Sequence, residues 1–225
     1  FKFLIQHRFG TLNMGFYNLW GIDFSNVRFG LDYGVSERLA LSVGRSSYSK
    51  QFDASVKWNI LRQSNSFPFV LSAYSSVFLI HPSESKRDEP NYDLINQITF
   101  NNQLIIARKF TSDLSLVLLP THIHLNEYLM GTSADPLFIG VGGRYKVTKK
   151  VSVNGEYFYA LSTMTESHQN MLSVGVDIET GGHVFSLHLS NSRGMNEQAF
   201  LTQTIGQWLE GDIYFGFNIS RVFSW

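Results

Sequence analysis

Two serines and a histidine stand at alternate positions as Ser186, His188 and Ser190, with Asp177 upstream. Such side chains can form a nucleophile and its general base when they lie within hydrogen-bond reach. Residues two apart on a strand are separated by roughly 7 Å along the backbone, which is too far for that pair. We therefore expect no enzymatic activity from this cluster, and a lipid hydrolase or acyltransferase is only a minor alternative.

A second histidine pair, His122 and His124, has the spacing to point one way at the end of a strand. A zinc site needs three or four protein ligands, so two imidazoles alone do not make one. The chain has no cysteine, which removes thiolate ligands and disulfides. We expect no bound metal and no cofactor.

Charged residues occupy alternate positions in segments whose other positions are apolar. Val27, Phe29 and Leu31, for example, alternate with Arg28 and Asp32. Alternate side chains of a strand point to opposite faces, so these charges are predicted to share one polar face. We expect opposite charges to pair there, for instance Arg144 with Glu156. The residues predicted to line this face are Arg28, Asp32, Asp53, Lys57, Arg144, Lys146, Glu156, Asp177, Glu179 and His188.

Strands must position these charges, because period-two alternation runs through nearly the whole chain and helical periodicity is almost absent. Most of the alternating segments have the 9–11 residues that a tilted membrane strand needs. Segments 1–9 and 114–122 alternate least well. The twelve predicted strands are 1–9, 24–33, 39–48, 52–61, 67–79, 94–108, 114–122, 136–147, 151–160, 169–179, 184–191 and 212–225.

The predicted connections alternate between short and long, with 49–51 as the one tight exception. Outer-membrane barrels have short periplasmic turns and longer extracellular loops. The register also agrees with a barrel: pairing Val147 with Val151 puts Arg144 opposite Asn154. Pairing Ile178 with Phe185 puts Gly175 opposite His188. A slip of one residue would exchange the two faces of a strand, so this agreement is a constraint.

The composition supports a membrane location. Aromatic residues make up 15% of the 225 residues and charged residues only 16%, against about 25% charged in soluble domains. An aromatic sandwich core is the other explanation. Apolar runs stop at four or five residues, far short of the roughly 20 that a transmembrane helix needs. Zero net charge without a basic cluster argues against nucleic acid as a partner. Because Phe1 already lies in strand-like sequence, we expect a signal peptide to be missing.

The C-terminal segment is the strongest single indication of a membrane barrel. Its apolar residues fall on one face, and as an edge strand of a soluble sheet they would invite aggregation. In a barrel they resemble the signal read by the insertion machinery. The residues predicted to form this signal are Phe217, Ile219, Phe223 and Trp225.

Two of the long loops are unusually apolar, which predicts packing against the barrel mouth or against a partner. These alternatives stay open from the sequence. The residues concerned are Met14, Phe16, Tyr17 and Trp20 in the first loop and Met195, Phe200 and Trp208 in the last.

Three stretches resemble a known group of proteins: His7-Arg8-Phe9-Gly10, Asn191-Ser192-Arg193-Gly194-Met195, and the ending from Gly216 to Phe223. They are similar to motifs of uncharacterised outer-membrane β-barrel proteins from Bacteroidota, and the resemblance runs the length of the chain. It implies the fold and the location, and it brings no catalytic residue.

The sequence thus predicts one domain, 1–225: an all-β, closed, antiparallel transmembrane barrel of twelve strands in the bacterial outer membrane. The first functional hypothesis is a narrow, non-enzymatic channel for a small polar solute. The alternative is a non-conducting accessory subunit that docks a larger outer-membrane complex through its apolar loops. The expected partners are outer-membrane lipid, both lipopolysaccharide and phospholipid, the barrel-insertion machinery, and, in the alternative, another outer-membrane protein.

Overall fold

The alternating segments form twelve antiparallel strands in the computed structural model, which describes residues 1–81, 87–88, 93–126 and 132–223. Each strand pairs with its neighbours in chain order, and the first pairs with the last, so the sheet closes. The predicted twelve-stranded antiparallel barrel is confirmed. The strands are β1 (Lys2–Thr11), β2 (Ser25–Gly34), β3 (Leu39–Ser46), β4 (Gln51–Leu61), β5 (Val70–Ile80), β6 (Ile98–Lys109), β7 (Leu114–Leu125), β8 (Leu137–Lys146), β9 (Val151–Ala160), β10 (Met171–Thr180), β11 (His183–Ser190) and β12 (Tyr214–Val222).

Helical structure among the described residues is confined to the connections. One α-helix, α1 (Glu197–Thr202), lies between β11 and β12. None of the helices in the described part of the chain is long and apolar enough to cross a membrane. The short 3₁₀ segments are Leu12–Met14, Phe16–Gly21, Tyr48–Lys50, Leu94–Gln97 and Trp208–Glu210.

The connections are sorted by length between the two ends of the barrel, as predicted. One end, called here the turn end, carries the connections 35–38, 62–69, 110–113, 147–150 and 181–182. The other, the loop end, carries 12–24, 47–50, 81–97, 126–136, 161–170 and 191–213. Connection 47–50 is the short exception that the sequence indicated.

The predicted registers are also confirmed. Arg144 stands opposite Asn154 across β8 and β9. Gly175 stands opposite His188 across β10 and β11. The last of these hairpins is tighter than expected, because the strand ladder extends to its end and leaves a two-residue turn of Gly181 and Gly182. Both residues have a positive φ, which glycine adopts without steric cost.

Several strand boundaries differ from the sequence prediction. β6 begins at Ile98 rather than at 94, because Asp93 caps a short 3₁₀ turn by accepting a hydrogen bond from the backbone N–H of Ile95. β7 continues to Leu125, three residues beyond the predicted end, although segment 114–122 is one of the two that alternate least well. β12 ends at Val222, and the predicted insertion-signal residue Trp225 lies outside the described residues. Phe217 and Ile219 lie on the outward face of β12, and Phe223 follows that strand.

The outward face of the barrel is apolar over most of its area. Leu41 and Val43 of β3, Val141 and Tyr145 of β8 and Leu187 of β11 are each more than two-fifths exposed. An apolar surface that encircles the molecule is far larger than soluble monomers expose, and hydrocarbon accommodates it without cost. Closure leaves no edge strand, so every strand's backbone is paired as the bilayer interior requires.

The inward face is polar towards the turn end and partly apolar towards the loop end. Residues of β7 to β10, among them Ile123, Phe138, Phe158 and Met171, form a buried apolar cluster inside the barrel. Leu201 of α1 belongs to the same cluster and is 1% exposed. The sequence analysis placed charged residues on the inward face and did not indicate this apolar cluster at the loop end. There the connection 191–213 folds inward, and its apolar side chains pack against this cluster. We call this connection the inserted loop.

Candidate functional site

The inserted loop is held at the wall of the lumen by hydrogen bonds from β4. Asn196 Nδ2 donates to Gln51 Oε1 (2.5 Å), and Gln51 Nε2 donates to Gln198 Oε1 (2.9 Å). Asn196 also caps α1, since its Oδ1 accepts from the N–H of Ala199 (3.0 Å). All four residues are buried. The loop therefore has a defined position and does not hang free in the mouth.

The base of the inserted loop is fastened by Asn191. Its Nδ2 donates to the carbonyl oxygens of Asn170 and Gly206, both at 2.9 Å, while its Oδ1 accepts from the N–H of Leu172 (2.8 Å). Gly206 lies so close to the carbonyl of Asn191 that a Cβ there would approach within 2.4 Å. One side chain thus joins the two ends of the loop to β10.

On the opposite side, His168 of the connection 161–170 contacts the C-terminal part of α1. Its Nε2 lies 2.8 Å from the carbonyl oxygen of Leu201. Burial lowers the pKa of His168, and the hydrogen bond to Leu201 offsets that effect in part. The ring is therefore neutral at neutral pH and acts as a donor to the helix through its Nε2–H.

The inserted loop brings a further carboxylate, Glu197, to an ion pair on the lumen wall. Arg28 of β2 donates through Nε to Asp53 of β4 (2.9 Å) and through Nη1 to Gln6 (2.7 Å). Glu197 interacts electrostatically with both Arg28 and Asp53. The sequence predicted Arg28 and Asp53 for the lumen, where they lie. It did not indicate Glu197, because the loop's path is a tertiary feature.

A second charged cluster lies at the turn end. Arg144 Nη2 donates to Glu179 Oε1 (2.5 Å), and Arg144 Nε lies 3.5 Å from Asp177 Oδ2. The expected pair of Arg144 with Glu156 is therefore wrong, because two carboxylates of β10 take the guanidinium first. Lys2 of β1 and Asp32 of β2 approach to 3.8 Å. Lys57 and Lys146 lie exposed on the same inward face.

The third cluster centres on Arg8, which the sequence analysis named only within the stretch His7-Arg8-Phe9-Gly10 and did not predict for the lumen. Arg8 is 7% exposed, and its Nη2 reaches the carbonyl oxygen of Gly194 at 3.4 Å. Its Nε and Nη1 are buried without an acceptor in the described part of the chain, and so is Nε2 of His188. Glu156, from β9 across the barrel, attracts Arg8 electrostatically. The segment that forms β1 alternates poorly in the sequence, so the pattern did not show that Arg8 points into the lumen.

These residues line two neighbouring spaces in the lumen. A cavity of about 200 Å³ is lined by Arg8, Glu156 and His188, and Met195 and Phe200 of the inserted loop bound it towards the loop end. A space of about 360 Å³ lies nearer the turn end beside Arg144. Asn154, Glu156 and Asp177 line both. The lumen is thus lined by polar and charged side chains on the turn-end side, and the inserted loop covers it towards the loop end.

The serine–histidine cluster does not form a catalytic arrangement. Ser186 and His188 face the lumen, opposite Asp177 and Gly175 respectively. Nε2 of His188 has no hydrogen-bond partner among residues that the structure describes. Ser190 is fully buried, and its Oγ accepts from the N–H of Ser192 (3.1 Å).

The other histidine pair is brought together on the outward side near the loop end. Asp135 Oδ1 lies 3.2 Å from His122 Nε2 and 2.7 Å from His124 Nδ1. The hydrogen bond from His124 is the main cause that lowers the pKa of the exposed Asp135. The described residues contain no group of three or more histidines and carboxylates arranged to hold a metal ion.

The first apolar loop does not enter the barrel. Phe16 and Tyr17 are strongly exposed, Trp20 is half exposed and Met14 is half-buried. The connection is braced against the end of the inserted loop, since Asn13 Nδ2 donates to Asp212 Oδ1 (2.7 Å). Of the last loop's predicted residues, Met195 and Phe200 pack inward, while Trp208 is half-buried with its Nε1 buried and unpartnered among the described residues.

The comparisons with known proteins define the class. Residues 1–223 match the model of the membrane-bound beta barrel domain family DUF5777, and the chain belongs to that family. No curated protein matches the sequence significantly.

Three solved structures show the same fold. The KdgM porin superposes with a TM-score of 0.62 at 11% identity, covering 100% of both chains. The NanC porin gives 0.59 at 7% identity, covering 100% of this chain and 99% of the porin. The COG4313 outer-membrane channel from Pseudomonas putida F1 gives 0.56 at 12% identity, covering 99% of this chain and 94% of the channel. At such identities the likeness concerns the fold.

Proposed function

We propose that this protein is an outer-membrane channel for small polar solutes, with the loop end extracellular and the inserted loop as its constriction. The observation that supports this proposal most strongly is that the inserted loop, and not the strands, closes the loop end of the barrel. This loop lies over a lumen lined with charges of both signs. Arg28, Asp53, Glu156 and Asp177 are among the residues that a passing solute would meet.

The constriction is of a kind that can open. The inserted loop is held by side-chain hydrogen bonds from Gln51, Asn191 and His168 and by one apolar helix face. None of these side-chain contacts belongs to the ladder of hydrogen bonds between strands, so the loop can move without unpairing the strands of the barrel. KdgM and NanC, which share the fold, are both porins by name.

The test is conductance of the purified barrel in planar bilayers. We expect small, flickering conductance from the native protein. Replacing residues 195–203 by a Gly-Ser linker of equal length is expected to raise the unitary conductance several-fold, because it removes the helix from the lumen. A native protein and a loop-replaced protein that are both silent in the bilayer, while folded, would exclude the channel.

A second function, docking as a non-conducting accessory subunit, is favoured by one observation. Phe16, Tyr17 and Trp20 are presented to the outside on a braced loop in which Leu19 and Trp20 have positive φ angles. Such strain in non-glycine residues persists only where the surroundings hold it, and it concentrates at binding sites. A stoichiometric outer-membrane partner that co-purifies in mild detergent, and is lost from a protein with all three residues changed to serine, would support docking.

A further inference from the structure

We propose that the 200 Å³ lumen cavity binds a small zwitterion, a molecule with one carboxylate and one ammonium group such as an amino acid. This inference deepens the proposed channel function by naming a solute class. It rests on two opposite charges, Arg8 and Glu156, which face one cavity and have no ion-pair partner among the described residues.

Arg8 supplies the carboxylate-binding half of the site. Its side chain is more than nine-tenths buried, and Nε and Nη1 lack an acceptor in the described structure. Among the described residues it donates one hydrogen bond, to the carbonyl oxygen of Gly194, and that bond is long at 3.4 Å. A guanidinium is always charged and offers a planar fork of donors that matches a carboxylate. A bound carboxylate would therefore supply the anionic acceptor that this arginine lacks.

Glu156 supplies the ammonium-binding half. The other lumen carboxylates near it are already matched, since Asp177 and Glu179 share Arg144. Glu156 attracts Arg8 across the cavity, but the two do not form an ion pair. A ligand with a positive group at one end and a negative group at the other can satisfy both charges at once. A ligand with a single charge satisfies one and leaves the other unmatched.

The cavity has the size and the access that such a ligand needs. A single water needs only about 10–15 Å³ of such space, so a cavity of about 200 Å³ has room for one small organic molecule. Asn154, Ser186 and Asn218 add hydrogen-bonding groups to its wall. The cavity shares Glu156 with the wider space nearer the turn end, and we propose that side as the route by which a ligand enters.

The shape of the cavity depends on Gly216. A Cβ at this position would approach His188 Nε2 within 2.4 Å and Arg8 Nη1 within 3.0 Å. The glycine lets both side chains lie against the β12 backbone at the edge of the cavity. His188 then stands beside Arg8, and its unpartnered Nε2 can accept or donate a hydrogen bond as the ligand requires.

The test uses purified full-length barrel in nanodiscs and a series of unbranched amino acids from glycine to 6-aminohexanoate as molecular rulers. Isothermal titration calorimetry measures each affinity beside the matching fatty acid and alkylamine. We expect one chain length to bind best, with an affinity roughly tenfold or more above both single-charge analogues, as a charge-assisted hydrogen bond at each end implies.

Two substitutions assign the ends of the ligand. Glu156→Gln is expected to bring the affinity of the amino acid down to that of the fatty acid. Arg8→Gln is expected to abolish binding of the fatty acid. Glu156 is exposed to the lumen, so we expect Glu156→Gln to fold. The test therefore stays decisive even if Arg8→Gln does not fold. Glu37→Gln, in an exposed turn far from the lumen, is the matched control and should bind as the native protein does.

The zwitterion site is overturned if the amino acids bind no more tightly than the single-charge fatty acids and alkylamines, or if no amino acid binds at all. Conductance is recorded on the same preparations, so the two ideas fail separately. A conducting barrel that binds no amino acid keeps the channel and loses the site. A silent barrel that binds one keeps the site and loses the channel.

Discussion

Gln51 and Asn196 are hydrogen-bonded at 2.5 Å although 145 residues separate them in the chain. Gln51 begins β4, and Asn196 caps the helix of the inserted loop. The same glutamine donates to Gln198, so its amide uses both a donor and an acceptor on the loop. This one side chain is the link between the rigid wall and the element that closes the lumen.

Gln51→Ala is expected to loosen the inserted loop without unfolding the barrel. The change leaves Nδ2 of Asn196 and Oε1 of Gln198 buried without their partner, at a cost of about 1–3 kcal/mol each. Longer and more frequent openings in planar bilayers should follow, together with faster proteolysis of the loop. Gln63→Ala is the control, because Gln63 bonds Lys109 at the turn end. If both variants behave alike, the loop is not held through Gln51.

Gly140→Ala is expected to disturb the seat of the loop. The added Cβ would approach the ring of Phe158 within 2.3 Å, and that ring packs against Phe200 at 5.4 Å between centroids. Overpacking of this kind costs about 1–3 kcal/mol. The thermal midpoint in detergent should fall. Gly34→Ala, where a Cβ has no neighbour within 4 Å, should leave it unchanged. An unshifted midpoint for Gly140→Ala would contradict the tight packing of Phe158.

His168 should make the docking of the loop sensitive to acid. Burial lowers the pKa of His168 below its ordinary value of 6.5. In the window below 6.5 the unfolded or undocked state binds more protons, so the stabilisation is complete above 6.5 and is lost progressively as the pH falls. Protease cleavage of the inserted loop should therefore be faster at pH 5 than at pH 7.5.

The control for this pH effect is His168→Gln, which keeps a side-chain donor for the carbonyl of Leu201 but does not titrate. The difference in cleavage rate between the two pH values should shrink in this variant. A difference as large as in the native protein would assign the acid sensitivity to other groups.

Neighbouring residues of β3 should differ in how strongly a new charge destabilises the barrel. Val43 points outward and is 55% exposed, whereas Ser42 points into the lumen. Arginine on the lipid face of a barrel costs about 2–4 kcal/mol near the bilayer midplane. Val43→Arg should lower the free energy of unfolding in lipid vesicles by that order, and Ser42→Arg should change it much less. The reverse order would mean that the faces have been exchanged.

The sequence by itself determined the local features of the barrel. Strict alternation from Val27 to Tyr33 defines two faces, because successive side chains of a strand point to opposite sides of the sheet. Turn lengths around Val147 and Ile178 fixed the register of the hairpins, since a one-residue slip would expose charges to lipid. The strand number and the sorting of connections between the two ends followed from the same pattern.

Only the tertiary structure decided which residues meet inside the barrel. The path of a 23-residue connection is not encoded in any period, so the packing of Leu201 on Phe138 and Phe158 was not readable beforehand. The partner of Arg144 depended on which carboxylate lies nearest in three dimensions. Arg8 and Glu156 line the same cavity although β1 and β9 are not neighbouring strands. Long-range contacts of this kind arise when a sheet closes and a loop folds back, and local patterning does not specify them.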